Sequence, residues 1–170
     1  MKTIEEQLRE NALSTPEKVA LIGGEQEVTY GQLWAHCLKT AKKLQAEYGI
    51  QKGDRVILSA AGNIEFIYVY FGVHIAGGVA VPIDPDTNQT RFNYIKESTQ
   101  PRMVIGQLPK VEDATIAFED AMAVEGEELA YVAPDAYDVA DILFTTGTTG
   151  DPKGVALSYK NHSAAAWQIN

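Results

Sequence analysis

The chain has 170 residues, of which 45% are apolar and 22% charged, a composition that excludes a disordered chain and predicts one globular unit. Its formal net charge of −9 argues against non-specific nucleic-acid binding, because such binding depends on clustered Lys and Arg that displace counterions from phosphates. The single cysteine, Cys37, excludes an internal disulfide and fits a reducing compartment, so we expect a cytoplasmic protein.

The amino-terminal part of the chain predicts a helix, a hairpin and a second helix. Residues 4–11 have the pattern of a short helix, and residues 19–22 and 27–30 read as two strands around a Gly-Gly pair. The second helix begins at Thr29, whose hydroxyl can accept from the backbone of Gln32 while the Gln32 side chain reaches back. This arrangement is a capping box.

Apolar residues recur at helical spacing after this cap. They are Leu33, Cys37, Ala41, Leu44 and Tyr48. Gly49 is a plausible helix terminator. Because Cys37 lies on this apolar stripe, we interpret it as a buried structural thiol and not as a nucleophile.

The middle of the chain alternates strands with helices. The pattern predicts, in chain order, strand 55–59, helix 64–76 capped by Asn63, strand 79–81, a helix around 90–98, strand 103–105 and a weaker strand 115–117. Such alternation is typical of right-handed βαβ units. We therefore predict an α/β fold with a mostly parallel sheet and helices on both faces.

Residues 66–83 form a long apolar run in which His74 is the only side chain that can be charged near neutral pH, so a membrane helix has to be considered. A Gly-Gly pair and Pro82 divide the run into a helix and a short strand. We therefore expect no transmembrane segment. His74 is interpreted as a core or boundary histidine and not as a metal ligand.

Residues 112–141 contain ten Asp or Glu and no Lys or Arg. No metal-ligand spacing stands out in this segment, so we interpret it as solvated surface.

The net negative charge of the whole chain produces an electrostatic field that repels anions. An anionic substrate must then be held by local donors and a bound cation.

The segment after residue 140 runs an apolar strand directly into a loop of threonines, glycines and one lysine. We predict strand 140–145, a returning strand 155–157 and a final helix capped by Ser158. Glycines let backbone N–H groups turn toward an anion, threonine hydroxyls add donors, and Lys153 adds a positive charge. These residue types suit a polyphosphate.

The nucleotide-binding pattern G-x-x-x-x-G-K-[ST] does not describe this loop. Counted from Gly147, Pro152 occupies the position before Lys153, and Gly154 stands where a magnesium-binding hydroxyl is required. The remaining alternative to a phosphate loop is a glycine-rich turn between two strands.

Residues 145–155, Thr-Thr-Gly-Thr-Thr-Gly-Asp-Pro-Lys-Gly-Val, closely resemble the phosphate-loop signature of the adenylate-forming (AMP-binding) enzymes. This superfamily includes acyl-CoA synthetases, luciferases and the adenylation domains of peptide synthetases. Residues 28–33 resemble its T-Y-x-x-L element, and residues 76–85 resemble its A-G-x-x-x-V-P-I-D-P element. Thr146 stands where family members commonly have serine, which preserves the hydroxyl.

The resemblance runs from about Glu5 to the end of the chain and implies the first α/β subdomain of the family's fold. The family's enzymes are roughly three times this long, so residues 1–170 are expected to be a partial amino-terminal AMP-binding domain. The remainder of the large domain and the carboxy-terminal lid domain would lie beyond Asn170. The magnesium-binding glutamate, the acyl pocket and the catalytic lysine would lie there as well, so we expect no catalytic residue in this chain and no activity from it alone.

The resemblance also implies a reaction. In this family a carboxylate attacks the α-phosphorus of ATP, pyrophosphate leaves, and a thiol captures the acyl-adenylate. The expected substrates and cofactors are a carboxylic acid, ATP, Mg²⁺ and coenzyme A, as in an acyl-CoA synthetase. The residues expected to bind the ATP phosphates are Thr145, Thr146, Gly147, Thr148, Thr149, Gly150 and Lys153.

Alternatives remain open at this point. Residues 80–82 resemble acyl-CoA ligases, whereas Asp84 and Pro85 suit adenylation domains that load a carrier protein. The chain can also be a short non-catalytic module that binds nucleotide or a partner protein. Residues 82–85 are interpreted as turn chemistry, with Asp84 as a possible ligand-facing exception. If the chain is truncated, the bare subdomain face is expected to cause self-association.

Overall fold

The computed structural model of the protein describes residues 2–145 and 152–168. The helices and strands are α1 (Ile4–Ser14), β1 (Val19–Gly23), β2 (Gln26–Thr29), α2 (Tyr30–Ala46), β3 (Arg55–Ser59), α3 (Ile64–Ile75), β4 (Val79–Ile83), α4 (Gln89–Thr99), β5 (Met103–Ile105), α5 (Phe118–Ala121), β6 (Val139–Thr145), β7 (Lys153–Ser158) and α6 (Tyr159–Gln168).

Five of the strands form one sheet in the order β5-β3-β4-β6-β7, and β1 and β2 form a separate antiparallel hairpin. The β3–β4, β3–β5 and β4–β6 pairs are parallel, and β7 alone runs antiparallel, beside β6. The predicted α/β fold with a mostly parallel sheet is confirmed. The carboxyl ends of β3, β4, β5 and β6 therefore share one edge of the sheet, and β7 begins at that edge.

Helices cover both faces of this sheet, as the sequence predicts. Val56 and Leu58 of β3 belong to a core that also contains residues of α1, α2, α3 and α5. Ile57, between them, points to the opposite face and packs in a second core with Phe92 and Ile95 of α4. The alternation along β3 is the two-residue period of a strand that is buried on both faces.

The apolar stripe of α2 is buried as predicted, with Cys37 fully inside the core. Burial raises the pKa of the Cys37 thiol, which keeps it protonated and unreactive at neutral pH. Tyr48, the last member of the predicted stripe, is half-buried and lies just beyond the end of the helix. Gly49 follows with φ of +67°, a conformation that glycine adopts without strain.

Local polar side chains set the starts of the helices. Thr29 Oγ1 accepts from the backbone N–H of Gln32 at 3.3 Å, and Gln32 Oε1 accepts from the N–H of Thr29 at 2.9 Å, so the predicted capping box is confirmed. Asn63 caps α3 by accepting from the N–H of Phe66 at 3.0 Å. Asn161 N–H donates to Ser158 Oγ at 3.3 Å, which agrees with the predicted cap of α6.

The predicted strand at 115–117 is wrong. The structure has an isolated parallel bridge between Ile116 and Ile105, after which the chain enters α5. Phe118 and Ala121 of this short helix are buried in the core. Helix α5 buries Phe118 and Ala121, and this burial competes with continuation of the strand. The extended conformation therefore ends after one bridge.

The apolar run 66–83 is divided as expected, into most of α3 and the whole of β4. Strand β4 extends two residues beyond the prediction, through Pro82 and Ile83. Across residues 2–145 and 152–168, no helix combines the length and the hydropathy that a membrane span requires.

Candidate functional site

The β6–β7 hairpin places the ends of the predicted phosphate loop at the carboxyl edge of the sheet. Thr145, the last residue of β6, and Lys153, the first residue of β7, are Cα partners across the hairpin, and both are exposed. In open α/β sheets ligands bind at this edge. Of the predicted phosphate-binding residues the structure therefore brings these two together. The other five, Thr146, Gly147, Thr148, Thr149 and Gly150, lie outside the described residues.

Gly154 lies in close contact with an aromatic side chain of the neighbouring strand. It pairs with Phe144 across the hairpin, and a Cβ at this position would lie 3.1 Å from the Phe144 ring. Phe144 packs against the core beneath α4. Because Gly154 has no side chain, the Phe144 ring can lie over the β6–β7 strand pair directly beside the loop. The sequence did not indicate this role for Gly154.

A second cation lies close to the end of β6. Arg91, in the first turn of α4, donates from Nη2 to the carbonyl oxygen of Phe144 at 3.2 Å. The residues are 53 positions apart, so no local spacing predicts this contact. Arg91 fixes the backbone one residue before Thr145.

Asp84 has a structural role at the same edge. Its Oδ1 accepts from the N–H of Asp86 at 2.7 Å, and its carbonyl oxygen accepts from the N–H of Thr87 at 2.9 Å. This is the turn chemistry that the sequence predicts for the residues after β4.

A cluster of ionisable side chains lies behind β6, four residues before Thr145. We call it the Asp141 cluster; its members are Glu5, Tyr70, His74, Asp141 and His162. His74 Nδ1 is 2.8 Å from Glu5 Oε1, and His74 Nε2 is 3.1 Å from Asp141 Oδ1. The second oxygen of Asp141 accepts from Tyr70 Oη at 2.7 Å and lies 3.0 Å from His162 Nε2.

The geometry of His74 indicates that it carries a positive charge. A neutral imidazole has one N–H, but both ring nitrogens of His74 face carboxylate oxygens. Burial alone would lower the pKa of His74, but its hydrogen bonds to Asp141 and Glu5 and the charges of these groups outweigh burial and raise the pKa to about 9.

The two carboxylates respond in the opposite sense. Burial would raise the pKa of Asp141, but hydrogen bonds from His162, His74 and Tyr70 hold it far below its usual range. Burial would also raise the pKa of Glu5, and its contact with His74 lowers it instead. The prediction that His74 is a core histidine is confirmed. Its partners in α1 and β6 lie 69 and 67 residues away, beyond the reach of local sequence patterns.

The acidic segment 112–141 is mostly solvated, as expected, but its last residue departs from that interpretation. Asp141 is 4% exposed and lies in the cluster just described. In the part of the chain that the structure describes, no group of three or more His, Cys, Asp or Glu side chains could hold a metal ion.

Among the described residues, a cavity large enough for a small molecule lies away from the loop. It has a volume of about 690 Å³ and opens at the amino ends of β3, β4 and β6, where Arg55, Val79 and Val139 line it. The loop leaves the opposite edge of the sheet. The hairpin is the candidate site because the sequence predicts phosphate-binding residues there, whereas the cavity lining is largely apolar.

Comparison with known proteins identifies the relatives of this chain. The sequence profile described as AMP-binding enzyme matches residues 8–170. Bacitracin synthase 1 of Bacillus licheniformis is 35% identical over 161 residues, which are 91% of this chain and 3% of that protein.

Two solved structures share the fold. O-succinylbenzoate coenzyme A synthetase (MenE) from Bacillus subtilis, in complex with AMP, is 26% identical with a TM-score of 0.82, covering 95% of this chain and 44% of that one. The N-terminal subdomain of Klebsiella oxytoca NpsA, in complex with 3-hydroxybenzoyl-AMSN, is 23% identical with a TM-score of 0.82, covering 94% of this chain and 42% of that one. The chain thus spans less than half the length of each of these three proteins.

Proposed function

We propose that the β6–β7 hairpin of this chain, which belongs to the family of AMP-binding enzymes, holds the phosphates of ATP in a ligase that activates a carboxylic acid. The observation that carries the proposal is the pairing of Thr145 with Lys153 at the carboxyl edge of the sheet. This pairing puts both ends of a threonine- and glycine-rich loop where ligands of α/β sheets bind.

The chemistry requires an anion to approach a polyanion. A carboxylate oxygen attacks the α-phosphorus of ATP, the bond to the bridging oxygen breaks, and pyrophosphate leaves with the electron pair. In our proposal the loop hydroxyls, the loop N–H groups and the Lys153 ammonium bind the β- and γ-phosphates, orient them and stabilise the charge that develops on pyrophosphate. Each charge-assisted hydrogen bond contributes about 1.5–3 kcal/mol.

Mg²⁺ would neutralise part of the phosphate charge when bound. The described residues do not form a cluster of side chains that fits a metal ion. We derive no step through the metal. On the family resemblance alone, we propose that its glutamate ligand lies outside residues 1–170.

The acceptor of the acyl group is proposed to be coenzyme A, which would make the enzyme an acyl-CoA synthetase. Residues 80–82 support this choice, as does the structural likeness to a coenzyme A synthetase. The second candidate is a carrier protein, which the likeness to a bacitracin synthase and the Asp84-Pro85 pair support to the same degree. Mixing the pre-formed acyl-adenylate of the full-length enzyme with coenzyme A or with a carrier protein distinguishes the two by which thioester forms.

We also propose that residues 1–170 act within a longer polypeptide and do not complete the reaction alone. The share of each relative that the chain covers supports this proposal. The β6–β7 hairpin carries an apolar surface, since Leu143 and Val155 are Cα partners and are 38% and 44% exposed. Such a surface favours self-association of the isolated chain.

The experiment that tests the phosphate role uses ATP–pyrophosphate exchange by the full-length enzyme. Thr148→Ala and Lys153→Ala are each expected to slow exchange about 10-fold or more, because each removes a charge-assisted contact. Lys42→Ala, at an exposed position on α2, is the matched control and should leave the rate unchanged. Unchanged exchange in both loop variants would refute the proposal. Loss of exchange only in Lys153→Ala would limit the phosphate contact to the lysine.

A further inference from the structure

Backbone pairing holds the β6–β7 hairpin to the rest of the sheet at one point. Among the described residues, β4 and β6 form a ladder pair only at Ala80 and Asp141, whereas β3 and β4 pair along five consecutive residues. Pro82, two positions after Ala80, has no N–H with which to extend the ladder toward the loop. The remaining attachment of β6 must come from side chains.

The side chain of Asp141 supplies an attachment at that same point. Its carboxylate accepts hydrogen bonds from Tyr70 and His74 of α3 and lies within ion-pair distance of His162 of α6. His74 continues the contact to Glu5 in the first turn of α1. One residue of β6 is thereby connected to three helices, at a distance of four residues from Thr145.

These contacts depend on the proton that His74 carries. With the imidazolium, the ring donates to Glu5 and to Asp141. Without that proton, one ring nitrogen presents a lone pair to a buried carboxylate, and the contact changes from attraction to repulsion. The other titratable groups around His74 are Tyr70 of the same helix and Tyr159 and His162 of α6, and their rings lie 4.4–6.2 Å from the His74 ring.

We propose that His74 is a positioning residue for the phosphate loop, because its imidazolium, between Glu5 and Asp141, fixes β6 and so the hairpin from which the loop extends. Loss of this proton loosens β6 and β7 and lowers the affinity of the loop for polyphosphate. The statement about affinity rests on the proposed function. The statement about the hairpin does not, because it concerns the chain without nucleotide.

The first test is histidine nitrogen NMR on the 170-residue chain. His74 is expected to show two protonated ring nitrogens at about pH 8, where His36 is neutral because burial lowers the pKa of His36. Asp141→Asn keeps the shape of the side chain but removes one of the two carboxylate charges that face His74. The pKa of His74 should therefore fall. A neutral His74 at pH 7 in the wild-type chain would overturn the proposal, as would a titration that Asp141→Asn does not move.

The second test is amide hydrogen exchange. Asp141→Asn is expected to increase exchange of the β6 and β7 amides about 10-fold or more, and to leave the β3 amides unchanged as an internal reference. His36→Gln, which changes a histidine outside the cluster, should have no effect on β6. Equal exchange in wild-type and Asp141→Asn chains would contradict the positioning role. If the variant does not fold, exchange of the β6 and β7 amides is compared within the wild-type chain, between about pH 7, where His74 carries its proton, and about pH 10, where it has lost this proton. The rates are corrected for the pH dependence of intrinsic amide exchange.

The third measurement separates this inference from the proposed function. ATP with magnesium is titrated into the full-length wild-type and Asp141→Asn enzymes, and the variant is expected to bind about 10-fold more weakly. If neither enzyme binds ATP, the proposed function fails, and the NMR and exchange results still decide the role of His74. If both bind equally, the link between the cluster and the loop is refuted and phosphate binding stands.

Discussion

The stability of the chain is expected to fall as the pH rises from neutral, because His74 loses its proton. The ordinary pKa of 6.5 is raised to about 9 in the folded chain, a difference of about 2.5 pH units. At about 1.36 kcal/mol per unit this corresponds to about 3 kcal/mol. The folded state binds the extra proton, so this stabilisation is fully present below about pH 6.5 and is lost as the pH approaches about 9.

The shifted pKa values of Glu5, Asp141 and Cys37 act outside most of this interval. The lowered pKa values of Glu5 and Asp141 contribute stability that is lost only as the pH falls below their ordinary ranges. The raised pKa of Cys37 lowers stability further, but only when the unfolded thiol ionises near its ordinary value of 9.0. Among these four groups, His74 therefore accounts for a decline between about pH 6.5 and about pH 8.5.

The assay is urea unfolding followed by far-ultraviolet circular dichroism at several pH values, with a common m-value. The double variant Glu5→Gln/Asp141→Asn replaces both acceptors of His74 by neutral amides, and its stability should not decline over this interval. Cys37 remains in the variant, and the phenols of Tyr70 and Tyr159, whose ordinary pKa of 10.0 lies above this interval and is raised further in the folded chain, do not contribute to the decline. A wild-type stability that is flat between about pH 6.5 and about pH 8.5 would refute the reasoning, and so would an equal slope in both chains.

Two further predictions concern the hairpin. Gly154→Ala should destabilise the chain by about 1 kcal/mol, because the added methyl group lies 3.1 Å from the ring of Phe144 and the ring has to shift; Gly62→Ala, at a position with open space, is the control in thermal unfolding. A Gly154→Ala chain as stable as the control would contradict the packing described. Light scattering should detect concentration-dependent self-association that Val155→Thr reduces and Val132→Thr, at another exposed position, does not. A wild-type chain that stays monomeric at high concentration would rule this out.

Local signals in the sequence predicted most of the fold. The Thr29 capping box and the Asn63 cap depend on residues three positions apart, so the sequence contains all the information that sets these helix starts. The order of the apolar segments, strand then helix then strand, predicted the parallel sheet, because this order can also be read directly along the sequence. The strand expected at Ile116 failed because burial of Phe118 in the tertiary core outweighs the β propensity of its neighbours.

The candidate site was predictable in part. Loop composition predicted that Lys153 belongs to the turn between strands 140–145 and 155–157. The structure starts β7 two residues earlier, at Lys153, and this earlier start pairs Lys153 with Thr145. The contact of Arg91 with β6 and the partners of His74 depend on side chains brought together across more than fifty residues. No pattern in a single sequence reports such contacts. The acidic composition around Asp141 even indicated solvated surface, because composition does not distinguish a buried carboxylate from an exposed one.

The central claim is that the loop between β6 and β7 binds the phosphates of ATP. The most direct test titrates ATP with magnesium into the full-length enzyme by calorimetry and records amide exchange of residues 145–153 with and without nucleotide. Measurable binding heat is expected together with slower exchange in this segment. Binding heat with no change in exchange at residues 145–153 would contradict the claim, as would the absence of any binding.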